Sequence, residues 1–277
     1  MTVRRMVVVT VAMMLCAGGL LATTGAGGTA DRETTTMPAT PSPGGKPLRV
    51  AALGDSVTSG AACGCTAFPA IYGRLLSQRT GVQVTVDNLG VSGLDSEGLL
   101  QQLDASGSAS ARAVSAADID VVTIGANDFG DHHDEIVDAS CAKAGTGDCV
   151  SDELEQLSGD LHHILQRIRG LRAGRPTTTL VTGYWNVFEG GQVARQTFST
   201  DGIAATVELT KRVNTVIEAT TIAEGATSVD LAGPFQREGA DVTGLLAPDG
   251  DHPNAAGHQL IAQVLLTAGL PRLRPRS

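Results

Sequence analysis

The chain has 277 residues, of which 42% are hydrophobic, 3% aromatic and 18% charged, and it contains 34 glycines. This composition can bury a full core, which excludes wholesale disorder, and one α/β domain can account for most of the length. The 29 acidic residues against 20 basic ones give a net charge of −9, so no nucleic-acid partner is expected. No apolar run recurs along the sequence, which excludes a polytopic membrane protein.

The first 30 residues have the pattern of a signal peptide. Arg4 and Arg5 form a positive n-region, residues 6–21 are almost entirely apolar, and small residues suited to cleavage follow. The alternative is an uncleaved anchor, but the apolar stretch is short for a bilayer span. The sequence therefore predicts a secreted protein that keeps no membrane-spanning segment once the signal is removed.

Residues 31–47 are interpreted as a linker, because threonines, prolines and glycines dominate and no apolar face is present. The folded domain is predicted to cover residues 48–277. No motif for self-association is visible in it, and a monomer is expected.

Cysteine usage agrees with export. One of the five cysteines lies in the predicted signal peptide, and an even number in an exported chain indicates two disulfides. The four candidates, which allow three pairings, are Cys63, Cys65, Cys141 and Cys149. Local bridges are one possibility and cross-links between the two loops another. A zinc site is the rival interpretation, but the Cys-x₂-Cys spacing that zinc favours is missing.

Short apolar runs alternate with helical patterns along the domain. Strands are predicted at 49–53, 82–86, 118–124, 178–182 and 227–231, and helices at 68–76, 96–103, from a Ser151 cap to Gly174, 203–223 and 253–266. Such alternation is typical of a parallel sheet covered on both faces. Ligands of these sheets bind at the carboxyl ends of the strands, so reactive residues are expected directly after predicted strands.

Four polar blocks lie at those positions. Gly-Asp-Ser at 54–56 follows the first strand, 88–93 (Asn-Leu-Gly-Val-Ser-Gly) the second and 125–128 (Gly-Ala-Asn-Asp) the third, while 249–254 (Asp-Gly-Asp-His-Pro-Asn) precedes the last helix. The serine does not lie in a G-x-S-x-G elbow, because Thr58 replaces the second glycine. This argues against an α/β-hydrolase.

The set of four blocks resembles the SGNH hydrolases, also called the GDSL esterase and lipase family, over essentially the whole domain. The matching positions are Ser56, Gly93, Asn127, Asp249 and His252. The resemblance implies a three-layer α/β/α sandwich with a flavodoxin-like, parallel five-stranded sheet. Exported, disulfide-containing bacterial lipases and esterases of this family are the most similar members.

The residue types also predict a mechanism. A serine hydroxyl such as that of Ser56 is a poor nucleophile until a base removes its proton. His252 is the expected base, and Asp249 is expected to accept the other ring N–H and hold the tautomer. Alternatively, Asp249 caps the following helix, and Asp251 or a backbone carbonyl orients the histidine.

The resemblance further implies an oxyanion hole. Its three donors would be the backbone N–H groups of Ser56 and Gly93 and the side-chain amide of Asn127. The alternative for Asn127 is a residue that only closes a turn.

Three aromatic residues follow the fourth predicted strand, where the family usually has a tyrosine-proline segment. Tyr184, Trp185 and Phe188 are candidates for an acyl pocket or for simple packing at the sheet edge. Trp185 replaces the proline, which leaves the shape of the pocket open.

No cofactor or metal is expected. The run Asp-His-His-Asp at 131–134 suggests a metal, but it has no spaced partners and is interpreted as a polar loop at the rim of the cleft.

The sequence therefore predicts a secreted serine esterase or lipase that hydrolyses small-molecule or lipid esters through an acyl-serine intermediate. An acyltransferase that uses the same acyl-enzyme and an inactive secreted binding module are the alternatives.

Overall fold

The computed structural model describes residues 45–141, 148–237 and 241–269, which contain one five-stranded parallel sheet with helices on both faces. The strands are β1 (Leu48–Gly54), β2 (Val84–Gly90), β3 (Ile119–Thr123), β4 (Thr178–Thr182) and β5 (Thr227–Val229), in the order β2-β1-β3-β4-β5. The predicted flavodoxin-like α/β/α sandwich is confirmed. The predicted signal peptide (1–30) and residues 31–44 of the predicted linker lie outside the described residues.

Helices connect the strands and cover the sheet. They are α1 (Ser56–Ser59), α2 (Phe68–Thr80), α3 (Ser96–Asp104), α4 (Ala109–Ala116), α5 (His133–Val137), α6 (Ser151–Leu171), α7 (Gly191–Thr197), α8 (Thr200–Ala223), α9 (Ala232–Phe235) and α10 (Ala255–Gly269), with 3₁₀ turns at Asn127–His132 and Val242–Leu245. Helices α2 and α10 pack together on one face, and α3, α4, α6 and α8 form the layer on the other, as right-handed crossovers require. None of the helices in the described residues is long and apolar enough to cross a membrane.

The core lies against the central strands of the sheet. Residues 50–53 of β1 and all five residues of β3 are buried. The apolar stripe of the long predicted helix is found in α6, where the buried residues include Leu154, Leu157, Leu161, Ile164 and Ile168. Each such side chain contributes about 1.5–3 kcal/mol relative to exposure, so this stripe is what attaches the helix to the sheet.

The second strand differs from its prediction at 82–86. Apolar residues end at Val86, but β2 continues to Gly90 and pairs with β1 along its whole length. It is an edge strand without a fully buried residue, so backbone pairing rather than hydrophobicity sets its end. The polar block at 88–93 therefore begins inside the strand and continues into the loop.

Two helices also differ from expectation. Ser151 is the first residue of α6 rather than its cap. Val150 occupies the cap position, and the Ser151 hydroxyl lies 3.5 Å from the backbone oxygen of Asp148. Helix α4 was not predicted, because its alanine- and serine-rich sequence carries little apolar periodicity.

Two glycines allow α1 to lie directly against the ends of the strands. Gly54 ends β1 at φ 137°, and a Cβ there would lie 1.9 Å from the carbonyl oxygen of Thr123 in β3. Gly90 ends β2, and a Cβ there would lie 2.2 Å from the backbone nitrogen of Ser59 in α1. Any side chain at Gly90 would therefore push α1 away from the sheet.

We predict opposite effects for two glycine-to-alanine substitutions. Gly90→Ala should lower the free energy of unfolding by about 1–3 kcal/mol, because α1 must shift to admit the methyl group. Gly159→Ala, at an exposed position inside α6, should raise it by about 0.5–1 kcal/mol through helix propensity. At position 159, no described atom lies within 4 Å of an added Cβ. Urea unfolding of both variants measures the effects, and a Gly90→Ala variant as stable as the parent would contradict the packing argument.

Candidate active site

Ser56 lies at the carboxyl end of β1, where it is the first residue of α1. The preceding residue, Asp55, is the N-cap of this short helix, and its Oδ1 accepts the Val57 N–H at 2.9 Å. Both Asp55 and Val57 are buried, whereas Ser56 is partly exposed. The local fold therefore fixes the backbone of Ser56 and leaves its side chain accessible.

The buried Asp55 carboxyl is also held by a residue that follows a different strand. The Tyr184 hydroxyl, just after β4, donates a hydrogen bond to Asp55 Oδ2. Burial raises the pKa of Asp55 to about 6, and the hydrogen bonds from Tyr184 and Val57 partly oppose this rise. Tyr184 is itself clamped by Asn214 of α8, which exchanges two hydrogen bonds of 2.8 Å with the tyrosine backbone. Helix α8 is thereby connected to the residue that precedes Ser56.

The second and third blocks supply hydrogen-bond donors. Gly93 has φ 77° in the loop after β2, and Asn127 begins the 3₁₀ turn after β3. Asn127 Nδ2 donates one of its two N–H bonds to the Leu94 oxygen at 2.8 Å. Within the ranges that the structure covers, no backbone acceptor lies at the N–H of Ser56 or Gly93. Both N–H groups, and the second N–H of Asn127, remain available to a ligand.

Further hydrogen bonds join these blocks to each other. The Val91 N–H donates to the Gly54 oxygen at 2.9 Å, which connects the second block to the first. Asp128 accepts both the hydroxyl and the backbone N–H of Ser96, at the start of α3. Burial raises the pKa of Asp128, and the Ser96 hydrogen bonds oppose the rise. Asp128 is thus a structural hydrogen-bond acceptor.

Asp249 and His252 are in contact in the loop before α10. Asp249 Oδ2 lies 2.8 Å from His252 Nδ1, and its Oδ1 accepts the backbone N–H groups of Asp251 and His252 at 3.1 Å. Burial acts to raise the pKa of Asp249, but these hydrogen bonds outweigh it and hold the pKa below its usual value. Asp251 Oδ2 is 3.6 Å from the same ring nitrogen, beyond a hydrogen bond. The geometry favours Asp249 over Asp251 as the partner of His252.

Asp249 also fixes which nitrogen of His252 is free. An ionised carboxylate can only accept, so the proton shared with it belongs to Nδ1. In the neutral ring Nε2 then carries the lone pair, an assignment that rests on the hydrogen bond. Asn254 closes the loop by accepting the N–H groups of Ala256 and Gly257 at the start of α10.

Electrostatics connect the last block to the first. Burial raises the pKa of Asp251 to about 6. The charge of His252 opposes this rise, and the charges of Asp249 and Glu189 add to it. The charge of Asp251 in turn contributes to the raised pKa of Asp55. The charges of the last block therefore act on the residue that precedes Ser56.

The model of the GDSL-like lipase/acylhydrolase family matches residues 52–260, which include all four blocks. This chain belongs to the GDSL-like lipase/acylhydrolase family. It is accordingly a carboxylic ester hydrolase with a small-molecule ester as substrate. No curated protein sequence matches the chain.

Solved structures share the fold at low sequence identity. The lipase Lip_vut3 from a goat rumen metagenome is 17% identical, with a TM-score of 0.64 over 82% of this chain and 100% of its own. A lipase/acylhydrolase from Enterococcus faecalis is 16% identical, with a TM-score of 0.55 over 83% and 99%. A variant of the acetylxylan esterase Axe2 from Geobacillus stearothermophilus is 18% identical, with a TM-score of 0.56 over 83% and 97%. At these identities the likeness shows the fold.

The three aromatic residues of the hydrolase have different roles. Tyr184 is buried with its hydroxyl on Asp55, so it is part of the support for Ser56. Trp185 stacks on Phe235, with ring centroids 4.3 Å apart, and borders a cavity of about 360 Å³. Phe188 packs edge-on against His133, 4.9 Å between ring centroids. Of the three, only Trp185 is among the residues that line this cavity.

The cavity at Trp185 adjoins the loop of the last block. Its wall includes Gly190, Gly191, Ala194, Ile203 and Val242, with Arg195 at its polar part. The Gly190 N–H donates to the Gly250 oxygen at 2.6 Å, which connects this wall to the loop carrying His252. A larger cavity of about 600 Å³ beside Cys141 is lined by α5 and α8, and its lining includes no residue of the four blocks.

Several residues of this region were not predicted from the sequence. Asn214 carries no local signal, since it is one polar residue inside a long helix. Glu189 lies 3.4 Å from His133 Nε2, and this contact spans 56 positions of sequence. Burial acts to lower the pKa of His133, but the hydrogen bonds that Asp134 and Glu189 accept from its ring prevail and raise it. The run at 131–134 is thus paired with carboxylates near the site.

The four cysteines of the folded domain form two local disulfides, Cys63–Cys65 and Cys141–Cys149. The first lies between α1 and α2, and the second precedes α6. Because the sulfurs are bonded in pairs, the cross-linked arrangement and the zinc site built from all four are not formed.

We predict that Tyr184→Phe destabilises the protein more at pH 8 than at pH 5. The folded-state pKa of Asp55, about 6, lies above its ordinary 3.8, so stability is lost as the pH rises through the folded value. Without the Tyr184 hydroxyl the buried carboxylate loses a donor, its pKa rises further, and at pH 8 the free energy of unfolding should fall by about 1–3 kcal/mol.

Tyr72→Phe is the matched control. The Tyr72 hydroxyl is buried without a hydrogen-bond partner among the described residues, so its removal should cost little at either pH. Urea unfolding at both pH values measures the effect. An equal loss at pH 5 and pH 8 for Tyr184→Phe would contradict the assignment to the ionised Asp55.

Proposed function

We propose that this hydrolase is a secreted serine esterase that cleaves neutral carboxylic esters through an acyl-serine intermediate. The observation that carries the proposal is the 2.8 Å contact between Asp249 and His252 Nδ1, which leaves Nε2 free to act as a base. Export is supported by the N-terminal pattern and by the two disulfides, which persist in oxidising compartments.

In the proposed reaction His252 Nε2 takes the proton of the Ser56 hydroxyl as its oxygen attacks the ester carbonyl. Asp249 stabilises the imidazolium that forms and keeps the ring oriented. The histidine then gives the proton to the leaving alcohol, and an acyl-serine remains. A water molecule, deprotonated by the same nitrogen, attacks this second ester, releases the carboxylic acid and restores Ser56.

The proposed oxyanion hole uses the N–H groups of Ser56 and Gly93 and the amide of Asn127. The hydrogen bond from Asn127 to the Leu94 oxygen supports this role, because it fixes the amide plane and leaves a second N–H unused. Donors that are already oriented need no rearrangement when negative charge develops on the substrate oxygen, and this is what makes them effective.

The charges near the site support a neutral substrate. Asp249, Asp251 and Glu189 surround the loop of His252, and the chain as a whole carries a net charge of −9. A negatively charged ester would approach against this field, whereas an uncharged ester would not. The names lipase and acetylxylan esterase, carried by structural neighbours, agree with an acyl ester as the bond cleaved.

We predict that Asp249→Ala lowers kcat by a factor of about 10²–10⁴, because the histidine loses both its tautomer and its orientation. Asp251→Ala is the matched control from the same loop. Its carboxylate lies 3.6 Å from the ring nitrogen, so its removal should leave most of kcat. Steady-state kinetics on one ester measures both variants. A larger loss for Asp251→Ala than for Asp249→Ala would transfer the orienting role to Asp251.

The proposed function is tested by hydrolysis of p-nitrophenyl esters from acetyl to palmitoyl by the purified protein. We expect turnover that Ser56→Ala abolishes, because no other hydroxyl is supported as the nucleophile. Ser158→Ala on α6, whose hydroxyl contacts Thr220 at 3.2 Å, is the control for loss of a serine elsewhere. The preferred chain length separates a short-chain esterase from a lipase.

Two results would replace the proposal. Transfer of the acyl group to an added alcohol in preference to water would indicate an acyltransferase. Absence of turnover on every ester, in a folded protein with both disulfides intact and no labelling of Ser56 by an active-serine probe, would indicate a binding module.

A further inference from the structure

The loop between α1 and α2 is constrained by a very short disulfide ring. Cys63 and Cys65 are bonded across a single residue, Gly64. Within and next to this ring the backbone is left-handed, at φ 57° for Gly64 and φ 56° for Ala62. Alanine rarely adopts this conformation, so the backbone next to the ring is strained. Cys65 is exposed to solvent and Cys63 is partly exposed.

A buried histidine with an unused N–H lies beside this disulfide. His258 of α10 is fully buried, and its Nδ1 accepts the Phe68 N–H at 3.2 Å. Nδ1 therefore lacks the proton, which in the neutral ring belongs to Nε2. Burial lowers the pKa of His258 to about 4, so the ring is neutral at pH 7.

The Nε2–H of His258 lacks a hydrogen-bond acceptor within the part of the chain that the structure describes. His258 Nε2 has no hydrogen-bond partner among the described residues, and a buried donor without an acceptor is costly. One ring nitrogen of His258 and both sulfurs of the disulfide lie within 4.8 Å of one another. A disulfide sulfur is a weak acceptor, but a thiolate is a strong, charged one. A thiolate formed here would therefore be a charged acceptor beside the buried histidine.

We propose that Cys63, Cys65 and His258 form a thiol–disulfide exchange site that reacts with small thiols from solution. Its redox state would control the loop that follows the nucleophile helix. Nothing in the ester hydrolysis described above uses these three residues.

The exchange proceeds in two balanced steps. A small thiolate attacks the exposed Cys65 sulfur and forms a mixed disulfide, while the Cys63 sulfur leaves with the electron pair as a thiolate that accepts the His258 N–H. A second small thiolate then attacks the sulfur of the bound small thiol. Cys65 leaves as a thiolate and the small thiol departs as its own disulfide. Both cysteines take protons from water, and the two small thiols supply the two electrons.

The loop is connected directly to the residue that bears the nucleophile. The Ser56 backbone oxygen accepts the N–H groups of Gly60 and Ala61, both at 3.0 Å. At the other end the loop enters α2 at Phe68, whose N–H is held by His258. A change of the loop on opening of the ring would reach Ser56 through these two hydrogen bonds. The effect on ester turnover rests on the proposed function, whereas the exchange chemistry does not.

The second disulfide provides an internal comparison. Cys141 and Cys149 both pack against the hydrophobic core, unlike Cys65. Access for an attacking thiolate is therefore greater at Cys65. The two pairs can be followed in the same sample, so the folded protein serves as its own reference.

The test is reduction of the purified native protein by reduced glutathione at fixed pH, with alkylation at timed intervals and mass spectrometry of each cysteine peptide. We expect Cys63–Cys65 to open at least about tenfold faster than Cys141–Cys149, since access governs exchange. Equal or slower opening of Cys63–Cys65 would overturn the proposal. This readout does not depend on esterase activity.

His258→Asn tests the role of the histidine. The asparagine oxygen can still accept the Phe68 N–H, but the shorter side chain has no N–H at the position of Nε2, and we expect exchange at Cys63–Cys65 to slow by about tenfold. A variant that merely loosened the loop would exchange faster, so a rate equal to or above that of the parent would contradict the assignment.

Ester turnover tests the consequence for Ser56 and remains usable if His258→Asn does not fold. Glutathione should change kcat of the parent and of a Cys141→Ser/Cys149→Ser variant, but not that of Cys63→Ser/Cys65→Ser. An equal response of all three would overturn control by this disulfide. If no form turns over an ester, the proposed function fails, and the alkylation rates still decide the exchange site.

Discussion

The direction in which the chain leaves β1 and β3 determines where this molecule can bind a ligand. From β1 the chain crosses to the edge strand β2, whereas from β3 it continues toward β4 and β5. The two connections diverge, and a crevice opens at the carboxyl ends of the two strands. Ser56 follows one strand and Asn127 the other. The remaining groups of the site are arranged around this crevice. The glycines at 54 and 90 allow α1, which carries Ser56, to lie close to it.

The buried carboxylate of Asp55 holds the first turn after β1 in place. Burying the Asp55 carboxylate costs several kcal/mol unless donors replace the lost water. Val57 and Tyr184 supply those donors, and Asn214 fixes the tyrosine by its backbone. The contacts made by Tyr184 and Asn214 join different elements, so helix α8 on one face and the start of α1 share one hydrogen-bond network. The arrangement makes the backbone at Ser56 rigid without occupying its side chain.

The sequence predicts best where the physical cause is local. Apolar runs predict β1, β3 and β4 because these strands are buried, and polar blocks mark the ends of β1 and β3. The predicted range of the edge strand β2 is wrong because pairing with β1, not burial, determines its last residue. Val150 rather than Ser151 occupies the cap position of α6, a choice that depends on the preceding turn. The links from Tyr184 to Asp55 and from Glu189 to His133 join residues 129 and 56 positions apart, and no local pattern predicts them.

The carboxylates around His252 also bear on how a catalytic cycle would end. In the proposed reaction an uncharged ester enters, and a carboxylic acid that is ionised at neutral pH is left at the site. Asp249, Asp251 and Glu189 surround that place, and the pKa of Asp251, about 6, leaves it mostly ionised above that pH. The product thus acquires the same sign of charge as its surroundings once it is formed. Electrostatic repulsion then favours its departure, and the site is cleared by the charge that the reaction itself creates.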